Sequence, residues 1–388
     1  MFLIDKPFVS DFLLQTIRKN NYPVVSSPVA NEMLDDPALK WIPEEEAARI
    51  LAEDPLTPLY SNSENALAWI AEHRGESHFS QQAELFKDKA GFRELIREFY
   101  PAFFFKTIGL KEIQAIDPAG LNYPFVIKPS VGFFSIGVHV VRNKTEWDEA
   151  QRLLNIRNLS SAYPKNVLDT STFIMEEYIT GEEYAVDCYF NSEGEVVILN
   201  ILHHRFSSGE DTSDRVYTTS KTIIRENEEA FASFLQKLGR KTGLKNFPAH
   251  VELRINESGM IIPIEINPLR FGGWCTTADL LGICLDYNSY EYYQQGLRPE
   301  WDRVFAGKEE QNFSIIVLNN SSTYQPEEIR KFDYELLAAD FEKAHLVRKM
   351  DVAKYSVFGF VFAETSPGNE EELNRILVSD LHKYISPR

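Results

Sequence analysis

The stretch HVELRINESGMIIPIEINPLRFGG, from His250 to Gly273, decides the fold. Val251, Leu253 and Ile255 alternate with His250, Glu252 and Arg254; beyond a Ser258-Gly259 bend, Ile262, Ile264 and Ile266 alternate with Glu265 and Asn267. Alternation of period two marks a strand with one apolar face, so the spacing predicts a hairpin. With Ser258 and Gly259 as the central turn residues, Glu252 falls opposite Glu265, and Asn267 follows two residues along the same face. Carboxylates opposed at about 5 Å repel, and a cation between them removes the repulsion. Three oxygen-bearing side chains suit Mg²⁺ or Mn²⁺, which take few protein ligands and complete an octahedron with phosphate oxygens and water. An amphipathic surface hairpin with an acidic wet face gives the same pattern, so the context upstream matters.

Upstream, Tyr123 to Pro129 (YPFVIKP) reads as a short apolar strand reaching Lys128. It runs into a loop holding Ser130, Gly132, Ser135 and Gly137, with Phe133 and Phe134 between them, and then into a strand from Val138 to Val141. Glycines and serines let backbone N–H groups and hydroxyls close round phosphate oxygens, and a strand-end lysine adds a point charge. A plain hairpin with glycine at its bend is the other reading. Further on, Phe173 to Ile179 (FIMEEYI) is an apolar strand running into acids, followed by a Gly181 turn and a second strand from Tyr184 to Phe190. Two strands joined by a charged bend account for that segment equally well.

Taken in order, the lysine-ended strand, glycine loop, acidic hinge and Glu…Glu-x-Asn hairpin resemble the ATP-grasp superfamily, carboxylate-amine ligase type, over roughly Lys87 to Gly273. The resemblance implies ATP and Mg²⁺ (or Mn²⁺) as cofactors. It makes Lys128 the strand-end lysine on the nucleotide phosphates and Lys89 the earlier, helix-opening lysine that also reaches ATP. Ser130, Gly132, Ser135 and Gly137 become the phosphate loop, Glu176 and Ile179 the hinge that meets the adenine edge, and Glu183 the acid on the ribose hydroxyls. Glu252, Glu265 and Asn267 become the metal ligands, and Arg270 the arginine that faces the transferred phosphoryl group or acyl phosphate. Phe133-Phe134 stands where many members have glycines, and Arg270 comes three residues after Asn267 where several have two, which opens a substrate role for Arg270. Lys87 and Lys89 are also readable as solvated helix charges, and Glu182 as a substitute for Glu183.

Composition is consistent with a multidomain enzyme: 388 residues, 44% hydrophobic and 25% charged, give a substantial core and ordinary globular usage. A formal net charge of −18 argues against nucleic acid or an anionic membrane surface as partner and favours small molecules. No apolar run approaches the roughly eighteen residues of a membrane helix, and the Met1 to Lys6 start lacks a basic n-region, so a cytoplasmic protein is expected. Cys188, Cys275 and Cys284 form no C-x-x-C pair and imply reduced thiols, with Cys275 expected to pack rather than react. A homo-oligomer is left open.

The fold expected is α/β with α+β lobes: a pre-ATP-grasp β-α-β domain at 1–85, an ATP-grasp domain at 86–300, and a small C-terminal α+β appendage at 301–388. Within the middle domain the nucleotide lobe spans about 110–190 and the metal and substrate lobe about 191–300. Helices are expected over Ser10–Lys19, Pro43–Glu53 with proline at the first helical position, Gln81–Phe99, Thr145–Asn155 capped by Thr145, Glu228–Lys241 ending at Gly243, and Glu370–Tyr384. A polar loop follows the strand that ends near His203-His204-Arg205; Arg205, assisted by Arg254, is a candidate for holding a substrate carboxylate, and both arginines are also readable as charge balance for the acidic face. The chemistry that the resemblance implies is activation of an acid as an acyl phosphate and its capture by an amine. Other ATP-grasp activities and a non-catalytic ATP-binding module are the alternatives.

Overall fold

Parallel pairing opens the chain: Phe2–Leu3 lies between Pro23–Val25 and Tyr60–Ser61, with Lys40–Ile42 outermost. The computed structural model describes residues 1–132, 137–156, 169–208, 211 and 213–388. The first helix, Asp11–Lys19, starts where the Ser10 hydroxyl accepts from the Leu13 N–H. That start and the next each lie one residue later than expected: Ser10 is an N-cap, and so is Pro43, before the helix Glu44–Glu53. The single Gln81–Phe99 helix is corrected to two, His78–Lys87 and Lys89–Leu95, followed by a 3₁₀ turn. Asp88 is extended between them and its carboxylate accepts from the Ala90 N–H at 3.1 Å, so one residue ends the first helix and caps the second.

The nucleotide lobe is an antiparallel sheet ordered Phe105–Gly109, Asp169–Glu177, Phe125–Val131, His139–Val141. Trp147, on the Lys144–Ile156 helix, is buried against Phe125, Ile127 and Met175. That helix begins one residue earlier than expected because Asn143, not Thr145, caps it. Asn143 Oδ1 accepts from the Glu146 N–H at 3.0 Å, and Glu146 returns a carboxylate to the Arg142 N–H at 2.9 Å.

The second sheet has eight antiparallel strands in the order Ile261–Pro268, Phe247–Ile255, Glu182–Phe190, Val196–Arg205, Val216–Thr219, Asn312–Asn319, Val357–Thr365, Lys343–Lys349. Glu182–Phe190 is internal to it, so the change of lobe falls at Gly181 rather than near 190. Three strands from 301–388 extend the same sheet, so the appendage is continuous with the lobe that carries the Glu252–Glu265 hairpin, and it adds a small two-stranded sheet of its own. The Glu370–Tyr384 helix is corrected to Glu371–Leu377 plus a 3₁₀ turn at His382–Tyr384. One face of the large sheet is covered by the helix Lys221–Thr242, which starts at the Ser220 cap rather than at Glu228 and ends at left-handed Gly243. Among the described residues no helix is long and apolar enough to cross a membrane.

The decisive hairpin reaches its expected pairing by another route. Ile255 pairs with Ile261, so the turn is a longer loop, Asn256–Met260, in which the Asn256 side-chain oxygen accepts from the N–H groups of Ser258 and Met260. Continued from there, the ladder would set Glu252 opposite Ile264. A bulge inserts one residue and restores Glu252 opposite Glu265 and His250 opposite Asn267. The two ends of the strand therefore have different phase. Ile262 pairs with Arg254 on the cleft face and Ile264 lines the cleft, which corrects the expectation that both belong to the apolar face.

Candidate functional site

A cleft opens where the four-stranded sheet faces the near end of the eight-stranded one. Strand alternation puts Glu183, Glu252, Arg254 and His204 on the cleft face, and their cross-strand pairing makes them neighbours. The nucleotide lobe contributes Lys128, Gly132, Glu176 and Ile179, and the helix start contributes Lys89. Ser135 lies outside the described residues, as does the Phe133-Phe134 pair.

On the phosphate side, the Lys89 ammonium reaches Glu265 Oε1 at 3.1 Å and the Gly132 carbonyl at 3.1 Å. Lys128 lies at 2.6 Å from Glu176 Oε1, and the other Glu176 oxygen accepts from Arg93 Nε at 2.5 Å. All three side chains are buried. Burial works to raise the Glu176 carboxyl, but Arg93 and Lys128 outweigh it and hold the group down at about 2. Its carboxylate is thus already taken by two cations. Ser130 is likewise engaged: its hydroxyl bonds the Asp88 carboxylate and accepts from the Ala90 N–H, tying the loop to the helix start. Gly137 has φ +76°, a left-handed conformation suited to glycine.

Glu183 is buried between two donors, His204 Nδ1 at 2.7 Å and Arg254 Nε at 2.9 Å. Arg254 also donates to the Ile179 carbonyl and covers the faces of Tyr178 and Phe206. It therefore braces Glu183 and the 176–179 hinge from the cleft face. Arg205, by contrast, is turned from the cleft. His204 faces the cleft, so the next residue on the strand faces away, and Arg205 is not among the residues that line the cleft.

At the far end, Glu252 and Glu265 are opposed across the bulge, and the Asn267 amide donates to Glu252 Oε1 at 3.5 Å. Burial, then Glu265, raises the Glu252 carboxyl well above the ordinary range. Burial also works to raise Glu265, but Lys89, Lys87 and Lys128 together bring it below. Among the described residues no three His, Cys, Asp or Glu side chains form a ligand group, so a cation here rests on two carboxylates and an amide oxygen. That donor set fits a hard divalent ion, and two acids of which one is forced toward its neutral form are what such an ion would relieve. Arg270 is buried beside them. Its guanidinium donates to the Phe271 carbonyl at 2.8 Å and to the Glu64 carboxylate.

Residues 121–278 match the family model described as ATP-grasp domain. The chain carries an ATP-grasp domain. Over its full length it superposes on L-amino acid ligase from Bacillus licheniformis at a TM-score of 0.70 and 18% identity, covering 100% of this chain and 98% of that one. N5-carboxyaminoimidazole ribonucleotide synthetase from Thermotoga maritima gives 0.62 and 13%, covering 100% and 98%, and biotin carboxylase from Campylobacter jejuni 0.60 and 13%, covering 100% and 91%. At these identities the likeness is one of fold. No curated protein matches the chain by sequence.

Several residues at and around the cleft carried no signal in the local sequence pattern. Arg93 follows Lys89 at helical spacing i,i+4, a pattern that could have paired them on one face. Glu64 could not have been found that way, because it arrives from the N-terminal sheet, nor could His204 be chosen over His203 before the strand phase was known. His250 Nδ1 meets Asp187 at 2.7 Å, and the same Asp187 oxygen accepts from the Gly272 N–H at 3.1 Å, which ties the acidic hairpin to the glycine loop after Arg270. Cys275 is buried, and burial, with Asp279 next, pushes its thiol up to about 11, the state of a packed thiol.

Proposed function

We propose that the protein is an ATP-dependent ligase that activates a small carboxylic acid or amino acid as an acyl phosphate and joins it to an amine, releasing ADP and phosphate. The observation that carries this is the convergence of Lys89, Glu252, Glu265, Asn267 and Arg270 at one end of a cleft whose other end holds Glu183 and the 176–179 hinge. The nucleotide lies between the lobes, with its base at the hinge, its ribose hydroxyls on Glu183, and its phosphates beside Lys89 and Lys128. Glu252, Glu265 and Asn267 hold Mg²⁺ (or Mn²⁺), which supplies charge neutralisation of the phosphate oxygens.

The substrate carboxylate then attacks the γ-phosphorus, ADP leaves, and the amine displaces phosphate from the acyl carbon. Arg270 steadies the oxyanion of that second step, a role in which one placed donor is typically worth about 3 kcal/mol. The likeness to an L-amino acid ligase supports amino acids as the first compounds to try. The test is a phosphate-release screen of ATP and Mg²⁺ against amino acids and small carboxylic acids with and without an amine, with products identified by mass. Release that requires both acid and amine is expected. Release driven by bicarbonate, or a stable phosphorylated product, would replace ligation by another ATP-grasp reaction.

A further inference from the structure

Glu64 reaches the site from outside the ATP-grasp domain. It lies on the short 3₁₀ turn Glu64–Ala66, just after the N-terminal strand Tyr60–Ser61, and Ser63 caps that turn. The strand is laced to the loop before Arg270 by the Ser61 N–H, which donates to the Leu269 carbonyl at 2.7 Å. One Glu64 oxygen takes the Arg270 guanidinium and the other takes the Lys87 ammonium. The three side chains are nearly buried, at 13, 12 and 8% exposure for Glu64, Arg270 and Lys87.

These two cations differ from Lys89 and Lys128 in the carboxylate they meet. Lys89 is matched to Glu265 and the loop carbonyl, and Lys128 to Glu176, both on the nucleotide side. Lys87, which also reaches the Gly132 carbonyl at 3.5 Å, and Arg270 share the Glu64 carboxylate instead, close enough to the two hairpin acids that Lys87 feels Glu265 and Arg270 feels both Glu252 and Glu265. A substrate carboxylate that must approach the γ-phosphorus has to pass those same acids, which repel it. Buried cations placed beside them are what makes the approach possible, and while the site is empty such cations need a counter-charge.

We propose that Lys87 and Arg270 form the receptor for the carboxylate that the enzyme activates, and that Glu64 is its resident occupant, displaced when the substrate carboxylate enters. The identity of the anion rests on the ligase reading; the receptor and its occupant rest on the geometry. Lys87 is thereby a substrate-side residue, and the N-terminal domain supplies the group against which an acid must compete. An acid binds only as well as it outcompetes a tethered glutamate for one ammonium and one guanidinium.

The test uses the full chain with its nucleotide site filled by the non-hydrolysable imido analogue of ATP and Mg²⁺, and acetate as the probe, followed by saturation-transfer NMR. Glu64→Gln is expected to bind acetate at least about tenfold more tightly than the parent protein. Adding Lys87→Met to Glu64→Gln is expected to abolish the gain. Acetate affinity in Glu64→Gln equal to or weaker than in the parent, with the melting temperature kept, would show that Glu64 only orients Arg270 and would overturn the proposal. If the glutamine variant does not fold, Glu64→Asp withdraws the carboxylate by one methylene; a smaller gain supports displacement and no gain refutes it. Titration of the nucleotide analogue is read separately. Its failure would count against the ATP-dependent reading, and acetate titrations without nucleotide would still decide the receptor.

Discussion

Replacing Glu176 with glutamine removes the negative charge lodged between Arg93 and Lys128 in the floor of the nucleotide lobe. In the folded protein this carboxyl is held at about 2, against 4.5 for an ordinary glutamate, by two cations that overcome the cost of burial. At ~1.36 kcal/mol per pH unit the difference is worth ~3 kcal/mol. A second route gives the same scale, since deleting one partner of a buried pair costs about 3–5 kcal/mol by leaving the other uncompensated. Glu176 pairs across the sheet with Phe105 and Val126, so the loss should be felt by the strands Phe105–Gly109, Phe125–Val131 and Asp169–Glu177. Amide hydrogen exchange at neutral pH is the assay, and exchange in those strands is expected to quicken by roughly 100-fold in Glu176→Gln. The sign with pH follows from a depressed folded-state value. The contribution is complete above pH 4.5 and is lost as pH falls toward about 2, so the deficit of the variant should shrink in that window and nowhere above it. Unchanged exchange in the three strands at neutral pH would refute the account of Glu176 as a buried counter-ion.

Glu265→Gln is expected to abolish turnover and, because it relieves Glu252 but strips Lys89 of its carboxylate partner, to lower the melting temperature modestly; a variant with full activity would dismiss the metal assignment. Arg270→Lys keeps the charge but cannot reach both the Phe271 carbonyl and Glu64, so kcat should fall by about 100-fold with ATP affinity kept, and an unimpaired single turnover would exclude a role in the chemical step. Gly181→Ala places a methyl group 2.0 Å from the Ile255 carbonyl oxygen at a φ of +110°, so the crossover between lobes must move. Calorimetry should then show ATP affinity reduced by at least about tenfold, and unchanged affinity would mean that the crossover does not set the hinge.

Local patterns carried much of this architecture into view. The acidic hairpin declared itself because period-two alternation forces Glu252, Glu265 and Asn267 onto one surface whatever the rest of the chain does. Even so, the right pairing came from the wrong turn: the bulge is set by how the strand crosses the sheet, and no residue in Ile262-Pro263-Ile264 announces it beyond the proline. Helix ends were legible where a cap is unambiguous, as at Ser10 and Gly243, and shifted where two candidates compete, as at Asn143 and Thr145. The surroundings of Arg205 and Arg254 were not legible locally, for opposite reasons. One lies on the wrong phase of its strand, and the other is claimed by Glu183 and the hinge carbonyl, partners remote in sequence. The continuity of the 301–388 strands with the large sheet is a matter of long-range pairing, which local periodicity cannot express.

The central claim is that an acid is activated as an acyl phosphate, and isotope transfer tests it most directly. An acid found by the phosphate-release screen is labelled with ¹⁸O in its carboxylate and turned over with ATP, Mg²⁺ and the amine. Attack of the carboxylate on the γ-phosphorus carries one labelled oxygen into the bridging position, and displacement by the amine leaves it on phosphorus. Released phosphate bearing one ¹⁸O, alongside an amide that retains the other, is the predicted result. Phosphate free of label, formed at the same rate as the amide, would contradict it.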